Sequence, residues 1–211
     1  MQRIDVSLYV IVDSDIERSL PIEVFTRQVA ENGATCLQVR CKDEGARSIL
    51  DFTARVLSVA RGYRIPVIVN DRLDIAMASG AAGVHLGEED LPVREARRLA
   101  GSSLLVGASA RTVEVARQAE ADGADYVGVG PAFRSPTKPS SEPIPPDLIA
   151  AIRGGISLPI VAIGGINEMN LHVPLGQGAD GIAIISALRQ CPSPGEVTAR
   201  LKTAIARAKK R

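Results

Sequence analysis

Pro66-Val67-Ile68-Val69-Asn70-Asp71 is a short apolar run that stops at two polar residues, and Val84-His85-Leu86-Gly87-Glu88-Glu89-Asp90 repeats the arrangement after a helix-like segment. Short apolar runs without alternation suit strands buried on both faces of a parallel sheet. Strands joined through a helix run in the same direction, so Asp71 and Asp90 are expected at one carboxyl-terminal edge. That edge is where parallel α/β proteins carry their chemistry.

The same joint recurs along the chain. Gly33-Ala34, Gly80-Ala81, Gly123-Ala124 and Gly178-Ala179 each close a helical segment and precede an apolar run. Glycine suits the left-handed turn that ends a helix, so the four steps mark four helix-to-strand joints. Between them lie Leu8 to Val12, Pro66 to Val69, Leu104 to Ala108 and Pro159 to Ile163, with Pro66 and Pro159 opening runs where a missing amide proton does least harm. Eight strands alternate with eight helical segments, and an amphipathic face is visible in Val113, Ala116, Ala119 and Glu120. Closing such a sheet removes both edges, which predicts an α/β protein with the (β/α)8 TIM barrel fold, residues 1–211 forming a single domain. Pro174 is expected to shorten or kink the seventh helix.

At 211 residues, with 45% hydrophobic and 23% charged composition, the chain can bury a sizeable core and does not read as disordered. A formal net charge of +1 offers no global field for nucleic acid or an anionic membrane, so any bound anion must be met by local charges. No apolar stretch approaches a membrane span, and the opening Met1-Gln2-Arg3-Ile4-Asp5 resembles neither a signal nor a transit peptide. Cys36, Cys41 and Cys191 lack paired metal-ligand spacing. Reduced thiols and a cytoplasmic location are the expectation.

The second strand reads Gln38-Val39-Arg40-Cys41-Lys42. Alternation puts Gln38, Arg40 and Lys42 on one face, toward the barrel mouth, and Val39 and Cys41 on the other, toward the helices. Two cations and an amide at the mouth suit a phosphate or diphosphate, or else pair with carboxylates of neighbouring strands. Asp71 and Asp90 suit magnesium there, though each is also a competent helix cap. Asn70 sits at a strand tip, and Ser109 either joins the same ring or caps the next helix. Arg134-Ser135-Pro136-Thr137-Lys138 lies in a long loop, Pro131 to Pro146, expected to close over the mouth. Gly164-Gly165-Ile166 and Ile185-Ser186 end the last two strands, where many barrels bind phosphate through backbone amides. His85 is read first as structural. The chain has no His-rich metal motif, no nucleophile with an adjacent base and no dinucleotide fingerprint, so the expected chemistry is anion handling.

Taken together these residues resemble thiamine-phosphate synthase. The family's Gln-x-Arg-x-Lys, Asn-Asp-Arg and Gly-Val-His-Leu-Gly followed by Asp match Gln38 to Lys42, Asn70 to Arg72, and Gly83 to Gly87 with Asp90. Similarity continues through Val106 to Ser109, Asp125 to Pro131, Ala162 to Asn167 and Ile184 to Ser186, nearly the whole chain in order. The resemblance implies coupling of hydroxymethylpyrimidine diphosphate to a thiazole phosphate, with release of diphosphate. It implies that Gln38, Val39, Arg40, Cys41, Lys42, Asn70, Ser109 and Lys138 hold the pyrimidine diphosphate, and that Ser135, Pro136, Thr137, Gly165, Ile185 and Ser186 hold the thiazole phosphate. Asp71 and Asp90 would ligate Mg2+, while Arg40, Lys42, Lys138 and Ser109 would act in catalysis. The implied partners are these small molecules, with a homo-oligomer left open.

The chain departs from the family at Cys41, where an acid is usual, at Glu88 in place of Gln, and at Arg134-Ser135-Pro136 in place of Pro-Thr-x. Two other readings of the same barrel stay open. One is a thiazole tautomerase, which needs no diphosphate and magnesium set; the other is a non-catalytic sensor of a phosphate ligand.

Overall fold

The computed structural model describes residues 4–134, 142–189 and 191–210. Eight parallel strands close into a barrel in sequence order. They are β1 Leu8–Val12, β2 Cys36–Val39, β3 Val67–Asn70, β4 Gly83–Leu86, β5 Leu105–Ala110, β6 Tyr126–Val129, β7 Ile160–Ile163 and β8 Gly181–Ile184. Closure is made where Leu8, Tyr9 and Val10 face Ile182, Ala183 and Ile184. Around the barrel run α1 Ile22–Glu31, α2 Ala46–Ala60, α3 Leu73–Ser79, α4 Val93–Ala100, α5 Val113–Ala121, α6 Leu148–Arg153, α7 His172–Gly176, α8 Ser186–Arg189 and α9 Pro194–Ala208.

The glycine–alanine joints have one structure. Gly33, Gly80, Gly123 and Gly178 take φ of 112°, 68°, 92° and 100°. The next amides, of Ala34, Ala81, Ala124 and Ala179, donate to the carbonyls of Val29, Ala76, Ala119 and Pro174, five residues back, at 2.9–3.1 Å. This is the bond that closes a helix end through a left-handed residue. The following residue leads into a strand: the amides of Thr35, Ala82, Asp125 and Asp180, each one position before the strand begins, donate to Leu8, Val67, Val106 and Ile160 of the preceding strand. At three joints its side chain also accepts from an amide at the start of that strand, from Leu8 to Thr35 Oγ1, from Val106 to Asp125 Oδ2 and from Ile160 to Asp180 Oδ2. One local motif thus ends a helix, turns the chain and sets the register of the next pair.

Two apolar layers result. Leu8, Val10, Val12, Leu37, Val39 and their counterparts point outward and pack with the helices in the larger core. Tyr9, Ile11, Cys36, Ile68, Tyr126, Val161 and Ala183 fill the barrel itself. The Tyr126 phenol fits because a glycine faces it: a Cβ at Gly107 would overlap its ring.

Two expectations need correction. β2 ends at Val39, so Arg40 to Lys42 lie beyond the strand, although the Arg40 amide still donates to Val12 at 2.8 Å. The described residues hold nine α-helical segments rather than eight, because β8 runs straight into the single turn of α8. The seventh helix is short, as Pro174 leads us to expect: α7 has only five residues, and Pro174 falls in its first turn, where no helical donor is required.

Gly123→Ala forces a side chain onto a φ of 92°. We expect it to cost about 1–2 kcal/mol and lower Tm by roughly 2–8 °C. Gly62→Ala, where an added Cβ meets nothing within 4 Å, should leave the thermal melt almost unchanged.

Candidate active site

The carboxyl-terminal ends of the strands surround a cavity of about 550 Å³. Gln38, Arg40 and Lys42 reach it from β2, Asn70 and Asp71 from β3, His85 and Asp90 from β4, and Ser109 from β5. Gly164 and Gly165 after β7, and Ile185 and Ser186 after β8, complete the ring. Val39 and Cys41 are brought elsewhere: both side chains are buried in the outer core, so contact with a ligand is left to their backbone. Ser135, Pro136, Thr137 and Lys138 lie outside the described residues. The root of their loop is pinned over β7 by Ala132 and Phe133, whose amides donate to Ile163 and Gly164 at 2.8 and 3.0 Å.

Asp71 takes φ 64°. Its amide donates to the His85 carbonyl at 2.8 Å, and the Arg72 amide turns back to Asn70 at 2.7 Å. Aspartate tolerates this left-handed turn better than most residues. The Asp71 side chain caps nothing, since α3 begins at Leu73 behind Arg72. Asp90 is no helix cap either: α4 begins at Val93 after Pro92, and Asp90 Oδ2 instead accepts from the Gly87 amide at 2.6 Å. The two carboxylates therefore face each other for reasons unconnected with helix ends. Burial, and then the neighbouring Asp90, push the Asp71 carboxyl up to about 6. Lys42 Nζ stands 3.9 Å from Asp71 Oδ2, and Arg40 has no salt-bridge partner among the described residues. Oxygen donors crowded in this way suit a hard divalent cation. Among the described residues no third His, Cys, Asp or Glu groups with them as a metal ligand.

Across the mouth, Gly164 and Gly165 turn at φ 97° and 64°. Asn170 braces the turn by donating to the Gly165 carbonyl at 2.9 Å. Buried Asp13, just past β1, pairs with Arg189 and ties α8 to the barrel. Together these contacts hold the backbone at Gly165 and Ser186 open to the cavity.

Sequence reasoning left out Tyr9, Tyr126 and Arg111, all of which line the cavity. The signal for the tyrosines was present: each alternates with outward-facing apolar neighbours, so its hydroxyl had to lie inside the barrel. Ser109 caps no helix, because Thr112 does so by accepting from the Val115 amide at 3.1 Å. His85 sits between Tyr126 and Ser109, bonded to each at 3.1 Å, and burial pushes its pKa down to about 4. At neutral pH it is an uncharged hydrogen-bonding group.

Comparison with known proteins gives a consistent result. Residues 8–188 match the family model described as thiamine monophosphate synthase. A thiamine-phosphate synthase of Caldanaerobacter subterraneus is 42% identical over 189 residues, 89% of this chain and 88% of that one. One from Chloroflexus aurantiacus is 44% identical over 186 residues, 88% of this chain and 86% of its own. The solved structure of thiamine phosphate pyrophosphorylase from Pyrococcus furiosus superposes with a TM-score of 0.87 at 34% identity, covering 98% of both chains.

The raised pKa of Asp71 predicts a pH dependence of stability. An acid whose folded pKa lies above its unfolded value makes metal-free protein less stable as pH rises from about 4 to about 6, with the full penalty above that window. Asp71→Asn removes the penalty. Without metal, the variant should melt about 2–4 °C above the unmutated chain near pH 8, the shift that ~1 kcal/mol produces at this size, and the difference should vanish near pH 4. Equal melts near pH 8 would mean that the Asp71 carboxyl is not held above its ordinary pKa.

Proposed function

The chain belongs to the thiamine monophosphate synthase family, and from that premise we propose that its barrel mouth makes thiamine phosphate by joining hydroxymethylpyrimidine diphosphate to a thiazole phosphate, with diphosphate released. The observation that carries the reading is the meeting of Arg40 and Lys42 with Asp71 and Asp90 around one cavity. Cations alone would suit many phosphates. Cations beside a crowded carboxylate pair suit a diphosphate that arrives with a metal ion.

Asp71 and Asp90 would hold Mg2+, whose charge, when bound, helps to neutralise the departing diphosphate. Arg40, Lys42, Ser109 and Lys138 hold the diphosphate oxygens as negative charge grows on them. The bond between the pyrimidine methylene carbon and the diphosphate oxygen breaks, and its electron pair leaves with the oxygen. The thiazole nitrogen then donates its lone pair to the resulting carbocation. That nitrogen carries no proton to lose, so the bond-forming step needs no protein base. Neutral His85 agrees with a site that works by positioning and fixed charge. Gln38 and Asn70 orient the pyrimidine side. The Gly165 and Ser186 amides, with Ile185, receive the thiazole phosphate from the far rim, and by the family resemblance Ser135 and Thr137, which lie outside the described residues, would contribute their hydroxyls.

The test is to incubate the purified chain with both substrates and magnesium and follow diphosphate and thiamine phosphate. We expect turnover that a chelator abolishes, and losses on the order of 10²-fold or more in Asp71→Ala and Arg40→Ala. Ligand binding without product would instead support a phosphate-ligand sensor. Isomerisation of a thiazole precursor without coupling would support a tautomerase.

A further inference from the structure

Barrel interiors of this type are usually filled by branched aliphatic side chains, because a buried hydroxyl or amide without a partner costs free energy. Here the floor of the mouth is polar from one side to the other. Gln38 Nε2 donates to Tyr9 Oη at 2.9 Å. Tyr9 Oη meets Tyr126 Oη at 2.8 Å, Tyr126 Oη meets His85 Nδ1 at 3.1 Å, and His85 Nε2 meets Ser109 Oγ at 3.1 Å. Room for the chain of groups is made by glycine: a Cβ at Gly128 would stand 3.0 Å from His85 Cε1, and one at Gly107 would overlap Tyr126.

Each phenol has one hydrogen, and this makes the direction of the chain a matter of counting. Tyr9 accepts from Gln38, so its hydrogen goes to Tyr126. Tyr126 has then accepted and gives its hydrogen to His85 Nδ1. A neutral imidazole that accepts at Nδ1 carries its hydrogen on Nε2, and that hydrogen goes to Ser109. Ser109 Oγ is thereby occupied as an acceptor on the side of the histidine. Its own hydrogen is left for the cavity it lines.

We propose that Gln38, Tyr9, Tyr126 and His85 form a hydrogen-bond relay of single polarity that sets the Ser109 hydroxyl as a donor toward an anionic oxygen of the diphosphate. This rests on the coupling reading for the identity of the anion. Tyr9, Tyr126 and His85 are positioning residues: they act through Ser109. Hydrogen bonds in such a chain polarise one another, so a break anywhere upstream weakens the last donor.

The chain has two histidines, and His172→Gln assigns the signals of the other. Imidazole 15N shifts of the full chain should show His85 as the Nε2–H tautomer; an Nδ1–H tautomer reverses the polarity and overturns the proposal. The second measurement is calorimetric affinity for inorganic diphosphate with magnesium, in variants whose melts match the unmutated chain. Ser109→Ala and Tyr126→Phe should each weaken binding by about 10-fold, the loss of ~1.4 kcal/mol. Combined, they should be no weaker than Ser109→Ala alone, because the tyrosine acts only through the serine. Losses that multiply would mean direct or merely structural roles and would also overturn it. Tyr9→Phe, which deletes a more distant hydroxyl, repeats the cycle if Tyr126→Phe folds poorly. A mouth that binds no magnesium diphosphate at all would defeat the coupling reading, while the His85 tautomer would still decide the relay.

Discussion

Closure of the sheet is the constraint from which the site follows. Each strand carries apolar side chains on both faces, so each face must be covered. Joining β8 to β1 through Leu8, Tyr9 and Val10 satisfies the last two edges and gives every strand end the same rim. Residues far apart in sequence thereby become neighbours around one opening. Neither Asp71 nor Ser186 has any local reason to share a cavity with Gln38, yet all three line it.

On that rim the protein holds charges that would not gather unaided. Asp71 is turned into place by a left-handed backbone and by its amide bond to β4, and Asp90 by the short turn that begins at Gly87. Burial and mutual repulsion raise the Asp71 pKa, which means that the fold spends stability on keeping the pair together in metal-free protein. Such a cost is informative, because two carboxylates at the other end of the barrel are placed where they gain. Asp125 accepts from Arg97 and from the Val106 amide, and Asp180 pairs with Arg153 and accepts from the Ile160 amide. Those two, at the opposite end of the barrel, stabilise register. The pair at the mouth is suited to a cation that neutralises it.

The barrel interior shows the same division. Its lower part is apolar, with Val6, Ile68 and Cys36, whereas the floor of the mouth is the hydroxyl, amide and imidazole chain from Gln38 to Ser109. Such a chain must be complete to be tolerated, since each buried group left without a partner is penalised. Completeness also confers direction, which an apolar floor cannot.

Much of this was legible along the chain because it is local. Four glycine–alanine steps predict four helix ends, and all four glycines take positive φ. Alternation in Gln38-Val39-Arg40-Cys41-Lys42 separates a cavity-facing set from a core-facing set, and it holds even though the strand ends at Val39, because the Arg40 amide keeps its bond to Val12. A two-residue period needs only the neighbouring backbone to be true. What the sequence could not specify was which side chains meet. Tyr9 and Tyr126 lie 117 residues apart and bond at 2.8 Å; His85 reaches Ser109, and Arg189 reaches Asp13 across the closing seam. Those pairings depend on strand register, on closure and on the space left by Gly107 and Gly128, and each of these is settled only when all eight strands pack at once.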